Sequence, residues 1–309
     1  MATRATLRLT YLGAAGWIIT DGRITVVLDP YLSRVRFSGR PYGQADASTA
    51  RNDIRPILRM DAVPISDTAA LDTQVPRADF ILLSHSHFNH AMDMPYIARK
   101  TGATVIGTES ASNVARAGAV PEAQILTVRG GEDYQFDGVA VQVIPSLHSA
   151  LGEKRYFNAG IVPRNVTGTL KLKDYAEGGT LAYMIRMGGH EVLFFGSMNY
   201  IEREVTGLRP DVALVAAAQP RLEIRDYTRR LLTALGRPKV VVATHWDDQG
   251  LPFGAPQTEA LERVKTFVAE VKKASPRSQL VVPKHFETLV LSPSGKVATE
   301  KPPAASKRR

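Results

Sequence analysis

The chain has 309 residues, 44% of them hydrophobic and 22% charged, a balance that suits a globular protein with a sizeable core. No apolar run approaches the roughly 18 residues of a spanning helix, so no integral membrane segment is expected, and the absence of cysteine removes disulfides, thiolate ligands and thiolate nucleophiles. The net charge of +9 is scattered rather than gathered in a basic stripe interleaved with aromatics, so nucleic acid is not an expected partner.

The opening MATRATLRLTYLG lacks an apolar signal core and runs at once into strand-like alternation, which points to the cytoplasm unless a leader has been removed. TLRLTYLG, GWIIT and ITVVLDPYL, parted by Gly-containing turns such as TDGR, predict an antiparallel meander. Residues 33–76 have weak periodicity and read as an irregular insertion or lid. Its arginines Arg34, Arg36, Arg40, Arg51, Arg55 and Arg59, with no lysine among them, suit either a cover over an anionic substrate or a solvated loop. ADFILLSH then reads as a buried strand and DMPYIARKTG as a helix ended by Gly102.

ATVIGT predicts a strand, ESASNVARAG a helix, and AQILTV, YQFDG and VAVQVIPSLH three further strands. A second irregular region covers 149–179. TLAYMIRM and HEVLFFGS predict a hairpin around Gly188 and Gly189, followed by the strand VALVAAA, a helix over DYTRRLLTALG, the strand KVVVATH and the helix TEALERVKTFVAEVKKAS. The order predicts an α/β sandwich with helices outside two sheets: a single domain over 1–298, with irregular insertions at 33–76 and 149–179, and a disordered basic tail over 299–309.

Polar residues recur where apolar runs end. FILLS leads to His85 and His87, VAVQVIP to His148, VLFFG to Ser197 and VVVAT to His245. If these strands share a direction, five of the seven histidines, His85, His87, His90, His148 and His245, gather on one rim. His190, in a tight turn, and His285 read as structural or surface residues. On an extended segment His85 and His87 project the same way, about 7 Å apart at Cα, so both can reach one ion. Neutral imidazole suits zinc, iron or manganese.

With those residues in view, the sequence resembles the metallo-β-lactamase superfamily. Its nearest branches are the lactonase and phosphodiesterase-like ones, which include ascorbate-6-phosphate lactonase and the N-acyl-phosphatidylethanolamine phospholipase. The resemblance rests on TYLGAAGWIITDGRITVVLDPYL, the block SHSHFNHAMDMP, His148, FFGS and THWDD. It implies an αββα sandwich of two mixed sheets flanked by helices, with metal at one edge. It also implies that His85, His87 and His148 hold a first ion and that His90 and His245 belong to a second position. Two residues depart from the family pattern: Asn89 stands at the aspartate of H-x-H-x-D-H, and Ser197 at the bridging aspartate.

Two divalent ions about 3.5 Å apart repel by on the order of 20 kcal/mol at an effective dielectric near 20. With both family carboxylates replaced, the expectation is one divalent metal, zinc first with iron or manganese as alternatives, and a second ion held weakly if at all at a position lined by His90, His245 and Asn89. Asn89, His245 and Asp247 are candidate catalytic groups, and Asp93 and Asp248 join Asp247 as candidate replacement acids or bases. The resemblance implies a metal-dependent hydrolase in which a metal-bound hydroxide attacks an ester, lactone or phosphodiester of a small anionic substrate, weakened or silenced by Asn89. The alternatives are a non-catalytic ligand-binding protein of the same fold and a mononuclear iron oxidoreductase. A serine hydrolase at Ser197 is set aside because FFGSMNY lacks the G-x-S-x-G elbow.

Overall fold

Alternation in LRLTYLG sends Leu7, Leu9 and Tyr11 to one face of the strand Leu7–Gly13 and Leu12 to the other, and each set has its own core to enter. The computed structural model describes residues 4–37, 53–166 and 168–300. Arg40, Arg51 and the tail beyond Glu300 lie outside the described residues.

Among the described residues the strands form two mixed sheets. The eight-stranded sheet runs, in spatial order, Val297–Thr299, Thr288–Leu291, Leu7–Gly13, Gly16–Thr20, Thr25–Leu28, Phe80–Leu82, Thr104–Gly107 and Ile125–Thr127. Its first five members pair antiparallel, as the N-terminal meander requires, and the rest are parallel. The seven-stranded sheet runs Gln279–Val281, Val240–Thr244, Val212–Ala216, His190–Phe195, Leu181–Met187, Val139–Pro145 and Asp133–Phe136. Parallel pairing joins the four strands from Gln279–Val281 to His190–Phe195, and antiparallel pairing joins the remainder.

One core, with Trp17, Leu28, Leu82, Tyr183 and Phe194, lies between the sheets and continues to Leu231 of the helix Tyr227–Ala234 and Phe267 of the helix Thr258–Ala274. The second core packs Val27, Ile81, Leu83 and Val105 under Ile97 of the helix Met94–Thr101 and Val114 of the helix Glu109–Ala117. The layers are therefore helix, sheet, sheet, helix, the α/β sandwich expected. Local chemistry sets the ends of these elements. Thr108 accepts the Ala111 N–H to cap one helix, and Gly102 closes another at φ 78°. Gly188 and Gly189, both at positive φ, make the two-residue turn between Met187 and His190.

The irregular segments are more organised than their sequence suggests. Phe37 bridges to Leu58, and Thr68–Gln74 is a helix capped by Asp67. Residues 149–179 carry short 3-10 turns at Gly152–Lys154 and Leu172–Asp174, and the Leu172 and Lys173 N–H groups donate to the Ala62 and Met60 carbonyls, so the two insertions brace each other. The sheet also runs past the expected boundary at 298: Thr299 pairs with Leu289, and the Glu300 N–H donates to the Thr288 carbonyl.

Four bonds join the two sheets at the edge that carries the histidines. Leu181 N–H donates to the Ser84 carbonyl at 2.7 Å, Tyr183 Oη–H to the Leu83 carbonyl at 2.8 Å, Trp17 Nε1–H to Thr244 Oγ1 at 2.8 Å, and His245 N–H to the Ala14 carbonyl at 2.7 Å. Gly196 lets the sheets close there, because a Cβ on it would overlap Ser84 Oγ and Asp29 Oδ2. Gly196→Ala is expected to cost about 1–3 kcal/mol in urea denaturation. An unchanged midpoint would mean that the edge has slack.

Candidate metal centre

The parallel strand Phe80–Leu82 hands the chain to an extended stretch that carries His85 and His87 inward, and His87 then opens the short helix Phe88–Ala91. One turn on, the His90 N–H donates to the His87 carbonyl at 2.9 Å, which brings His90 back beside His85. His148 follows Val139–Pro145, and His245 follows Val240–Thr244 with its backbone at φ 51°. The rings of His85, His87 and His148 form a near-equilateral triangle with centroids 4.7–4.8 Å apart, and one ligand atom from each lies within 4.8 Å of the others. His90 lies 3.9 Å from His85 and 5.3 Å from His245, centroid to centroid. His85, His87, His90 and His148 are buried, and His245 is partly exposed.

The outer partners decide which ring nitrogen faces the centre. His87 Nε2–H donates to the Phe157 carbonyl at 2.8 Å, which turns Nδ1 inward. His148 Nδ1–H donates to the Ser149 carbonyl at 3.0 Å, leaving Nε2 free. Ser84 Oγ–H donates to Asp29 Oδ2, so Ser84 Oγ accepts from His85 Nδ1–H at 3.0 Å, and His85 Nε2 is buried with no partner. His90 Nδ1–H donates to Asp29 Oδ2 at 2.8 Å. Three bare nitrogens converging from three neutral rings fit a tetrahedral ion with one open position. His245 Nδ1 is likewise buried without a partner.

Burial, and then the neighbouring imidazoles, drive the His85 pKa well below its ordinary value. Burial lowers His87 to about 4 and His148 to about 3. It lowers His90 and His245 as well, so all five rings are neutral near pH 7. Burial also pushes Asp29 up to about 8 against the two Ser84 donors, and a cation among the imidazoles would bring it back down.

Asn89 and Gln249 form a pair: Asn89 Nδ2–H donates to Gln249 Oε1 at 2.8 Å. Ser197 Oγ accepts the Ser149 N–H at 2.9 Å, and Asn199 Nδ2–H donates to the His148 carbonyl at 3.1 Å, so both hold the loop that carries His148.

Asp247, a candidate acid or base by sequence, is spent elsewhere. Its Oδ1 accepts from Tyr11 Oη–H and Ala14 N–H, each at 2.9 Å, and its Oδ2 from Arg34 Nη1–H and His285 Nε2–H, each at 2.8 Å. Burial alone would raise its pKa, but the Arg34 charge and the His285 contact hold it well below the carboxylate range, so it has no proton to exchange near neutrality. Asp93 is similarly occupied by the Leu32 and Ser33 N–H groups and the Ser33 hydroxyl. Asp248 lines the pocket, and its Oδ1 accepts the Gly250 N–H.

The described arginines of the insertion do not form a cover. Arg34 is 1% exposed and grips Asp247; Arg36 donates to the Asp53 carbonyl, Arg55 pairs with Asp53, and Arg59 with Asp61. His190 and His285 are structural, bonded to the Ala5 carbonyl and to Asp247. Sequence reasoning missed Asp29 and Gln249, and it gave Arg34 a place over the substrate or in a solvated loop rather than on Asp247. Only Asp29 carried a local signal, an acid directly after the apolar run TVVL.

A family model for the beta-lactamase superfamily domain matches residues 8–245. A UPF0173 metal-dependent hydrolase of Pyrobaculum islandicum is 25% identical over 269 residues, covering 85% of this chain and 96% of its own. One from Pyrobaculum calidifontis is 29% identical over 212 residues, 66% of this chain and 84% of that one. Among solved structures, a metallo hydrolase from Ignicoccus hospitalis superimposes with a TM-score of 0.52 at 17% identity, covering 93% of this chain and 98% of that one. The diiron beta-hydroxylase CmlA from Streptomyces venezuelae does so at 0.55 and 17%, covering 94% and 54%. At these identities the structural likeness is one of fold.

Neutral buried imidazoles make the metal-free protein sensitive to acid. His87 has a folded pKa of about 4 against an ordinary 6.5, so the unfolded chain takes the proton first: stability falls as pH drops below 6.5, and the loss stops growing near 4. His87 alone contributes about 3 kcal/mol. The other four rings act in the same sense, and the raised carboxyls Asp29 and Asp93 act in the opposite one. Urea denaturation of chelator-treated protein is therefore expected to show a net loss between pH 7 and 4. A flat profile would contradict this account of the imidazoles.

Proposed function

The chain belongs to the beta-lactamase superfamily, and from that premise we propose that it is a hydrolase dependent on one divalent metal, zinc first, held by His85, His87 and His148. The observation that carries the reading is the triangle of three neutral imidazoles, each fixed from outside so that a bare nitrogen faces the same point. The names of the UPF0173 relatives support the same activity. An ion in such a site supplies Lewis acidity toward a carbonyl or phosphoryl oxygen and acidifies water.

The residues around it supply orientation and proton handling. Asp29 holds His90 through Nδ1 and leaves Nε2 toward the pocket as an acceptor. His245 faces His90 across the second position, and Asp248, on the same wall, is the carboxylate left as a candidate for proton transfer once Asp247 and Asp93 are committed. Asn89 and Ser197 offer no charge at the two family carboxylate positions. Repulsion of on the order of 20 kcal/mol between two ions would go largely unopposed by them, which favours a single ion.

The pocket walls favour an ester or lactone over a phosphodiester. Phe37, Phe88, Leu151, Phe157, Met198 and Trp246 make an apolar lining. Among the described lining residues Arg263 is the one cationic side chain, and it pairs with Glu259 at 3.4 Å. An anionic group therefore finds little counter-charge, and the substrate class that fits is a small molecule with an apolar body and an uncharged carbonyl.

Metal analysis of protein purified without chelator is expected to find about one ion per chain, rising toward two in Asn89→Asp. The zinc-loaded protein is expected to hydrolyse p-nitrophenyl acetate and δ-valerolactone with kcat/KM at least about tenfold above that for bis(p-nitrophenyl) phosphate. No bound metal after incubation with zinc and manganese would overturn the hydrolase reading and leave a ligand-binding protein of this fold. Preference for the phosphodiester would overturn the substrate class alone.

A further inference from the structure

The loop 247–251 is held from outside along its backbone. Arg34, 1% exposed, donates through Nη2 to the Asp248 carbonyl and through Nε to the Leu251 carbonyl. Arg55 Nη2–H donates to the Gly250 carbonyl at 2.8 Å, and Gln257 Oε1 accepts the Asp248 N–H at 2.8 Å. The planar guanidinium fork makes such a clamp stiff. Within it sits Gln249, 9% exposed, whose Oε1 accepts from Asn89.

An amide has two donors and two acceptor lone pairs. Asn89 uses one acceptor of Gln249, and among the described residues no protein group accepts from Gln249 Nε2–H. The atom is not among the sealed, unpartnered ones either, and both residues line the pocket beside His90 and His245. A fixed amide thus offers N–H to whatever occupies that wall.

We propose that Gln249, held by the Arg34 clamp and by Asn89, is a specificity-determining residue that donates Nε2–H to an uncharged acceptor oxygen of the substrate, and that the neutral amide pair keeps a second cation out of this position. The inference rests on the ester or lactone reading and adds a contact to it. A donor there favours a carbonyl or ring oxygen and repels a metal ion, which gives the replacement of the family carboxylate by Asn89 a use.

The test uses zinc-loaded, full-length protein and δ-valerolactam, an unreactive isostere of the lactone. In a nitrogen–proton correlation spectrum the Gln249 side-chain amide is identified by its loss in Gln249→Ala. Addition of δ-valerolactam is expected to shift that signal saturably, and Gln249→Ala to weaken binding roughly tenfold. Gln249→Glu, close in shape, is expected to weaken the same ligand and raise the metal count above that of the wild type. An unmoved amide signal at saturating lactam overturns the proposal, and so does unchanged affinity in Gln249→Ala or two ions in the wild-type protein. If Gln249→Ala misfolds, Gln249→Glu, which also lacks the side-chain N–H, supplies the same assignment. Lactam binding at Gln249 without hydrolysis of any ester or lactone would refute the hydrolase reading and leave the contact. Hydrolysis with an unmoved Gln249 signal would refute the contact alone.

Discussion

Five imidazoles line one pocket, four of them buried, and a buried ring serves an ion best when one nitrogen is left bare while the other is tied down. That constraint accounts for much of the rim. A buried ring without an outer partner would turn or take up a proton, so the fold surrounds the cluster with acceptors: Asp29 and Ser84 from the first sheet, and the Phe157 and Ser149 carbonyls from the irregular segment 149–179. Irregular backbone suits this work because its carbonyls are not consumed by a ladder. The scarcity of ladder pairing among the described residues of that segment is thus part of how the site is oriented.

The second organising element is the buried ion pair of Arg34 with Asp247. Desolvating both charges is expensive, and such a pair is weak evidence of stability by itself. Here Asp247 takes four donors and Arg34 makes two further bonds to loop carbonyls, so both charges are met on several sides. What the pair secures is position: the loop after His245 is pinned to the start of the chain through Tyr11 and Ala14, and to the insertion through Arg34. The described arginines of that insertion are braces, and the choice of arginine over lysine fits a role that needs a rigid fork.

Much of the fold and the centre of the site were legible in the sequence. Period-two alternation exposes strands, and polar residues at the ends of apolar runs reveal a shared rim when those strands are parallel. The histidines obey that rule, and so does Ser197. Arg34 and Gln249 do not, because their meaning comes from partners about 210 and 160 positions away, and no local pattern announces either contact. Asp247 and Asp93 misled for the complementary reason. An acid beside a histidine looks the same in sequence whether it faces a substrate or four buried donors. The boundary at 298 slipped because Val297–Thr299 is too short for its alternation to register, and only its partner strand defines it.

The two replaced carboxylates bear on what kind of site this is. When a buried acid is lost by decay, the groups that faced it are left without partners, and orphaned polar atoms accumulate. Here Ser197 accepts the N–H of Ser149, next to His148, and Asn89 is paired to an amide on a clamped loop. Among the described residues, the buried orphans at the centre are His85 Nε2 and His245 Nδ1. Ring nitrogens are the atoms a metal site is expected to leave bare. Replacement of both acids together by neutral residues that complete hydrogen bonds fits a site rebuilt around less positive charge better than one worn away. A single ion with a polar, uncharged neighbour position is the arrangement such rebuilding favours.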